Sequence, residues 1–167
     1  MGEVMTATLT GDKPLSLNIA AYIGQFALIE MDIQHVFEKA IGGSGTWADC
    51  ILNHVQSIST RLDIIEDFLR NCRGETKLAK DFLPLVPRIR KSITYRNKLA
   101  HSVFANMGAE VVIISNMFAR KKNFKMEKIT AKMVLDEYHS LEQLQFDILR
   151  ALDALPPGFP TKIQRGP

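Results

Sequence analysis

Tyr95-Arg96-Asn97-Lys98-Leu99-Ala100-His101-Ser102-Val103-Phe104 is the stretch where this chain changes its period. Before it, residues from Pro87 to about His101 predict a helix, with Pro87 in the first turn, where a missing N–H costs nothing. After it, Ala109-Glu110-Val111-Val112-Ile113-Ile114-Ser115 is short and β-branched, a strand signal. Asn123-Phe124-Lys125-Met126-Glu127-Lys128-Ile129 then alternates apolar and polar residues with period two. The two runs predict a β-hairpin over about 103–129, with a third short strand at Val103 to Asn106. Its tip, Arg120-Lys121-Lys122-Asn123, is a basic turn that either holds a phosphate backbone or keeps the hairpin soluble.

Everything else reads as helix. The first helix is predicted from about Ser16 to Ile41. Leu17, Ala21, Gly24, Leu28 and Met31 mark one face, with Ala20, Ile23 and Ala27 beside it. Its first half is apolar nearly all round, which places it centrally in the domain or in an oligomer interface. Gly42-Gly43-Ser44-Gly45 ends it as a turn; no strand precedes these glycines and no Gly-Lys-Ser/Thr follows, so they are not a phosphate loop. A second helix is predicted from about Thr46 to Asn71, opening on a Thr46/Asp49 capping box. Ile51, Val55, Ile58, Leu62, Ile65 and Leu69 form a heptad-like stripe along it. Asp63, Glu66 and Asp67 lie off the stripe and read as surface. The third helix begins near Glu75, runs to about Phe82, and kinks at Pro84 and Pro87. Thr130 caps the last helix, which runs to about Leu155 with Val134, Tyr138, Leu141, Ile148 and Leu152 on its buried face.

The predicted fold is mainly all-α: an up-and-down bundle of four or five helices, with a small β-hairpin inserted between the third and last long helices. Residues 1–14 read as a loose tail, 15–156 as one domain and 157–167 as an extended tail. A hydrophobic content of 46% and a charged content of 23% in 167 residues suit a single soluble domain with a real core. The apolar run from Leu15 to Ile29 is too short for a bilayer and contains Asn18 and Gln25. The first six residues match the loose myristoylation pattern, which is short enough to arise by chance. Cys50 and Cys72 match no zinc spacing, and the four histidines form no ligand pairs, so neither metal nor cofactor is expected. Two thiols in a chain of this size suggest a reducing, cytoplasmic setting.

The net charge is only +3 but unevenly spread. Residues 73–132 hold 14 Lys and Arg against 4 Asp and Glu, a balance of +10; the remainder holds 7 against 14, or −7. A basic segment suits a polyanion. It equally suits acidic helices of the same fold that pair with it.

Three groups in the quoted stretch can do chemistry. Asn97 and His101, four apart, are neighbours on one helix face. Arg96 lies off that face, but its long side chain can reach the same patch. An imidazole moves protons near neutral pH, and a guanidinium grips a phosphate with two parallel hydrogen bonds. Together they are a minimal kit for cleaving RNA with the sugar hydroxyl as nucleophile. The competing reading is a His101 that caps the helix and an Arg96 in an internal salt bridge.

Arg96-Asn97-Lys98-Leu99-Ala100-His101, near the end of a basic helix in a helical domain, resembles the HEPN ribonuclease superfamily. The family motif is Arg, four to six residues, then His, with a polar residue often directly after the Arg. The resemblance implies a homodimer in which the motifs of two protomers form one composite site. It implies a metal-independent endoribonuclease in toxin–antitoxin, phage-defence or RNA-processing systems, with any neutralising antitoxin a separate chain. Carried over, His101 is the general acid or base, Arg96 holds the scissile phosphate, and Asn97 orients the imidazole or binds phosphate. Arg88, Arg90, Lys91, Lys98, Lys121 and Lys122 are then the RNA-binding rim. A second reading is a non-catalytic dimerisation, nucleotide-binding or protein-binding module, whose working surfaces are the first helix and the heptad stripe of the second.

Overall fold

The computed structural model describes residues 13–43, 45–107, 110–115 and 125–153. The elements are α1 (Lys13–Ala40), α2 (Gly45–Leu52), α3 (Ile58–Cys72), α4 (Lys77–Phe82), a single 3-10 turn at Leu83–Leu85, α5 (Val86–His101), β1 (Val103–Met107), β2 (Glu110–Ser115), β3 (Lys125–Ile129) and α6 (Ala131–Ala151). The fold is mainly helical, with a small three-stranded antiparallel sheet between α5 and α6. The strand order is β1-β2-β3, with Phe104 opposite Ile113 and Val111 opposite Ile129. Ile113 and Ile129 are the buried side chains that fasten the sheet to the helical core. The two predicted tails lie outside the described residues, except that Lys13 and Pro14 already belong to α1.

Helix α1 packs most extensively along α6. Its buried residues are the large apolar Leu15, Ile19, Tyr22, Phe26, Ile29, Ile33, Val36 and Phe37, together with Asp32 and Ala40. This corrects the predicted face: Leu17 is 68% exposed, Met31 56% and Leu28 44%. Both sides of α1 are apolar, so periodicity alone could not choose between them. Volume does: the inner side carries the aromatic and β-branched residues, which bury the most area and fill a core. Ala20, Ala21, Gly24, Ala27, Leu17, Leu28 and Met31 are left outside. Gly42 (φ 99°) and Gly43 (φ 83°) end the helix in the left-handed region, which glycine adopts freely. The N–H of Gly43 donates to the Glu38 carbonyl at 2.7 Å.

The predicted second helix is broken. Helix α2 stops at Leu52, and α3 starts at Ile58 on a new cap, Ser57, whose hydroxyl accepts from the Thr60 N–H. Arg61 holds the intervening loop by donating to the Val55 carbonyl at 2.6 Å. Leu62, Ile65 and Leu69 stay buried, but Ile51 is largely exposed and the stripe ends at the break. Asp49 does not serve as a box partner; it accepts from the Gln34 side chain on α1. The proline segment behaves as its sequence predicts. Thr76 caps α4, Pro84 sits in the 3-10 turn and Pro87 lies in the first turn of α5. Thr130 caps α6 by accepting from the Met133 N–H at 3.2 Å.

The corrected face of α1 makes a direct prediction. Truncating Phe26, which is 1% exposed, to Ala should cost about 3–5 kcal/mol in a denaturant titration. Leu17→Ser should stay within about 0.5 kcal/mol of wild type, as an exposed position does. The reverse order would return Leu17 to the core.

Candidate functional site

Helix α5 buries Val86, Ile89, Ile93 and Leu99. The apolar stripe steps 86, 89, 93, and its next turn should fall at 96 or 97. Arg96 and Asn97 occupy those positions, so the motif interrupts the core face at the helix end. Tyr95, just before them, is half-buried and meets Tyr22 of α1 edge-on, with ring centroids 5.1 Å apart. The Tyr22 hydroxyl donates to the Ser92 carbonyl at 3.3 Å. Burial, and secondarily the nearby Glu137 charge, push the Tyr95 phenol up to about 12, so it keeps its proton at neutral pH. Burial pushes Tyr22 up as well. These phenols help to fix the position of the helix end.

His101 is the last residue of α5, and its side chain is exposed. Ser102 follows with extended backbone (φ −98°, ψ 158°), and the chain enters β1 directly. The sheet thus pins the end of the helix on which the imidazole stands. Asn97 and His101 share the face that ideal helix geometry assigns them, and Arg96 is roughly 7.5 Å along the axis from His101. The guanidinium Nη1 of Arg96 donates to Oδ1 of Asn97 at 3.2 Å. Among the described residues Arg96 has no carboxylate partner, and His101 makes no hydrogen bond to a carbonyl. Neither the internal salt bridge nor the capping imidazole, the competing reading of these two residues, is found there.

The remaining basic residues of α5 are differently placed. Arg88 Nη1 lies 2.6 Å from Asp147 of α6. Arg90 Nη2 bridges Asp63 and Glu66 of α3, both at 2.7 Å. Lys91 pairs with Glu137 at 3.1 Å, and Lys98 pairs with Glu127 of β3. The four α5 members of that rim are therefore each matched by a carboxylate of their own fold. Lys121 and Lys122 lie outside the described residues. Of the carboxylates that do the matching, Asp63, Glu66, Glu137 and Asp147 were legible only as part of the −7 balance of the rest of the chain, and Glu127 belongs to the basic segment itself. Asp63 and Glu66, read as plain surface, are partners of Arg90.

No group of three or more His, Cys, Asp or Glu able to hold a metal ion occurs among the described residues. Cys50 and Cys72 are free and exposed. No helix of the described residues is long and apolar enough to cross a membrane.

The ion pairs set an acid limit. Hydrogen bonds from Arg70 and then Arg90 hold the Glu66 carboxyl below its ordinary 4.5; Lys98 does the same for Glu127. A carboxyl with a depressed folded-state pKa stabilises the fold fully above its unfolded value, and that contribution is lost as pH falls through the folded value. Stability in denaturant should therefore fall as pH drops below about 4.5, and Glu66→Gln should flatten that fall. Superimposable wild-type and variant profiles would remove Glu66 from the account. No family model, curated protein or solved structure matches this chain, so the reading of the site rests on its own residues and geometry.

Proposed function

We propose that this protein is a metal-independent endoribonuclease of the HEPN type, which cleaves RNA by attack of the 2′-hydroxyl on the adjacent phosphate. One observation carries the reading. Of the five basic residues on α5, Arg96 is the one with no carboxylate partner among the described residues, and it stands five positions before an exposed imidazole. A cation whose carboxylate partner stays in place offers a phosphate little. Arg96, held by the neutral side chain of Asn97, keeps its full charge and its outer N–H groups for an anion.

The roles follow from the chemistry. Arg96 binds and neutralises the scissile phosphate. His101 takes the 2′-hydroxyl proton, or gives one to the leaving 5′-oxygen. Asn97 positions the guanidinium. The product of the first step is a 2′,3′-cyclic phosphate, and no metal enters it. Two protomers meeting at the ends of their α5 helices would supply two imidazoles, one for each proton. A separate antitoxin chain covering this end would silence the site.

The second reading, a helical dimerisation or binding module, is favoured by the exposed Leu17, Leu28 and Met31 of α1. One experiment separates the two. Mixed RNA is incubated with the purified protein in excess chelator, and product ends are analysed. The nuclease reading expects cyclic phosphate ends and a loss of about 10²–10⁴-fold in rate for His101→Ala, with a comparable loss for Arg96→Ala. Equal cutting by wild type and both variants would take Arg96 and His101 out of the mechanism. Absence of cutting across diverse RNAs, with His101→Ala retaining all self-association, would favour the module.

A further inference from the structure

At the end of the bundle away from His101, three element ends bring cations to one place. Lys39 lies in the last turn of α1, Arg73 is the C-cap of α3, and Lys77 is the first residue of α4. With Ala40, Gly42, Thr76, Leu78 and Asp153 they line a cleft of about 370 Å³. Asp153 follows α6 at φ 53°, the one non-glycine residue in the left-handed region among those described. That turn carries its carboxylate between the two ammonium groups. Oδ1 is 2.9 Å from Lys77 Nζ and Oδ2 is 3.3 Å from Lys39 Nζ. The two lysines hold the Asp153 carboxyl below the usual carboxylate range.

The carboxylate does not balance the cleft. Lys39, Arg73 and Lys77 face one Asp153, which leaves +2; Asp81, 2.7 Å from Lys77 on its outer side, lowers this to +1. Arg73 spends its Nε–H on the Ala40 carbonyl at 3.0 Å and has no carboxylate partner among the described residues. The anion at the centre is thus an internal one, carried on a left-handed turn and smaller than the space around it.

We propose that this cleft is a binding site for a small phosphate-bearing molecule, and that Asp153 occupies the phosphate position in the free protein. Lys39, Lys77 and Arg73 are the ligands for the phosphate oxygens. Ala40 and Leu78 give the apolar wall against which the rest of a small ligand packs. The volume suits a metabolite rather than a nucleic acid strand, since small-molecule pockets begin at roughly 300 Å³. The proposal does not rest on the nuclease reading, because none of its residues belongs to α5.

The test is calorimetric titration of the full chain with inorganic pyrophosphate. Asp153→Asn keeps the left-handed turn, which Asn tolerates as well as Asp, and removes the competing charge. It should bind pyrophosphate about 10-fold more tightly than wild type, as expected when a self-occupied fraction is released. Adding Lys77→Gln or Arg73→Gln to Asp153→Asn should abolish that gain. In the wild type, which needs no change at Asp153 to fold, millimolar pyrophosphate should raise the melting temperature, and Lys77→Gln alone should cancel the rise. Equal affinity in wild type and Asp153→Asn, binding that survives Lys77→Gln and Arg73→Gln, or no binding in any variant would each overturn the proposal.

Discussion

Asp32 is the one charged side chain buried among the described residues, at 7% exposure, and the fold is arranged so that it is not alone. Gln145 of α6 donates to its Oδ2 at 3.0 Å, and Gln25 donates in turn to Gln145. Burial pushes the Asp32 carboxyl up, and the Gln145 bond works against that shift. In an apolar helix interface such a contact selects one register. Sliding α1 by a turn would strip the buried carboxylate of its Gln145 bond and leave only His35 of its own helix, 3.9 Å away, at a cost on the order of 1–3 kcal/mol. The same spacing recurs along the pair. Asn18 bonds the Ala131 carbonyl, Asp32 meets Gln145 and Lys39 reaches the Leu152 carbonyl, each across a separation of 113 residues. A constant offset means that α1 and α6 run parallel, side by side from end to end.

A parallel pairing of the first and last helices dictates the rest of the topology. The chain must travel back between them, and α5 does so. Arg88 meets Asp147 near the end of α6, while Tyr95 meets Tyr22 in the first half of α1. Helix α5 therefore points against both, and His101 emerges at the end where α1 and α6 begin. The sheet fills the short distance from there to Ala131. The Lys39–Lys77–Asp153 cleft, built from the opposite termini, lies at the far end. The two candidate sites are separated by the length of the bundle because α1 and α6 align in parallel along one register.

How much of this was readable in the residues depended on what kind of signal each feature has. Prolines, caps and β-branched runs act locally, so the kink at Pro84 and Pro87, the Thr130 cap and the inserted sheet were all legible. The inner face of α1 was not, because Leu17, Ala21 and Leu28 repeat with the same period as Ile19, Phe26 and Ile33. Only competition for core volume, a property of the whole fold, separates them. The break after Leu52 was hidden for a related reason. Ile51, Val55 and Ile58 keep a helical period through it, and the Ser57 cap that restarts the chain looks like an ordinary polar position. At the motif end, the spacing of Arg96, Asn97 and His101 could be read directly, but the lack of a carboxylate partner for Arg96 among the described residues could not. The distant cleft left no trace in sequence, since Lys39 and Asp153 are 114 positions apart and neither belongs to a pattern.

The strongest contrast is between counted and usable charge. A balance of +10 over residues 73–132 describes a polyanion-binding segment only if those charges are unmatched. Four of the five cations on α5 stand within 3.1 Å or less of a carboxylate. A paired cation and anion act on a distant phosphate as a dipole, whose field falls away faster than that of a single charge, and salt screens what remains beyond about 10 Å. Exposed pairs of this sort are worth about 0–1 kcal/mol each to stability, so their larger effect is to silence the basic helix. What is left on α5 is a point source at Arg96, one turn from the end, next to His101. Under the nuclease reading, a phosphate there would be selected by bidentate geometry and not by a broad field. On that reading, recognition must then come from the shape of the RNA at that one place. A site of that kind cuts few targets, and it tolerates a fold whose remaining surface is close to neutral.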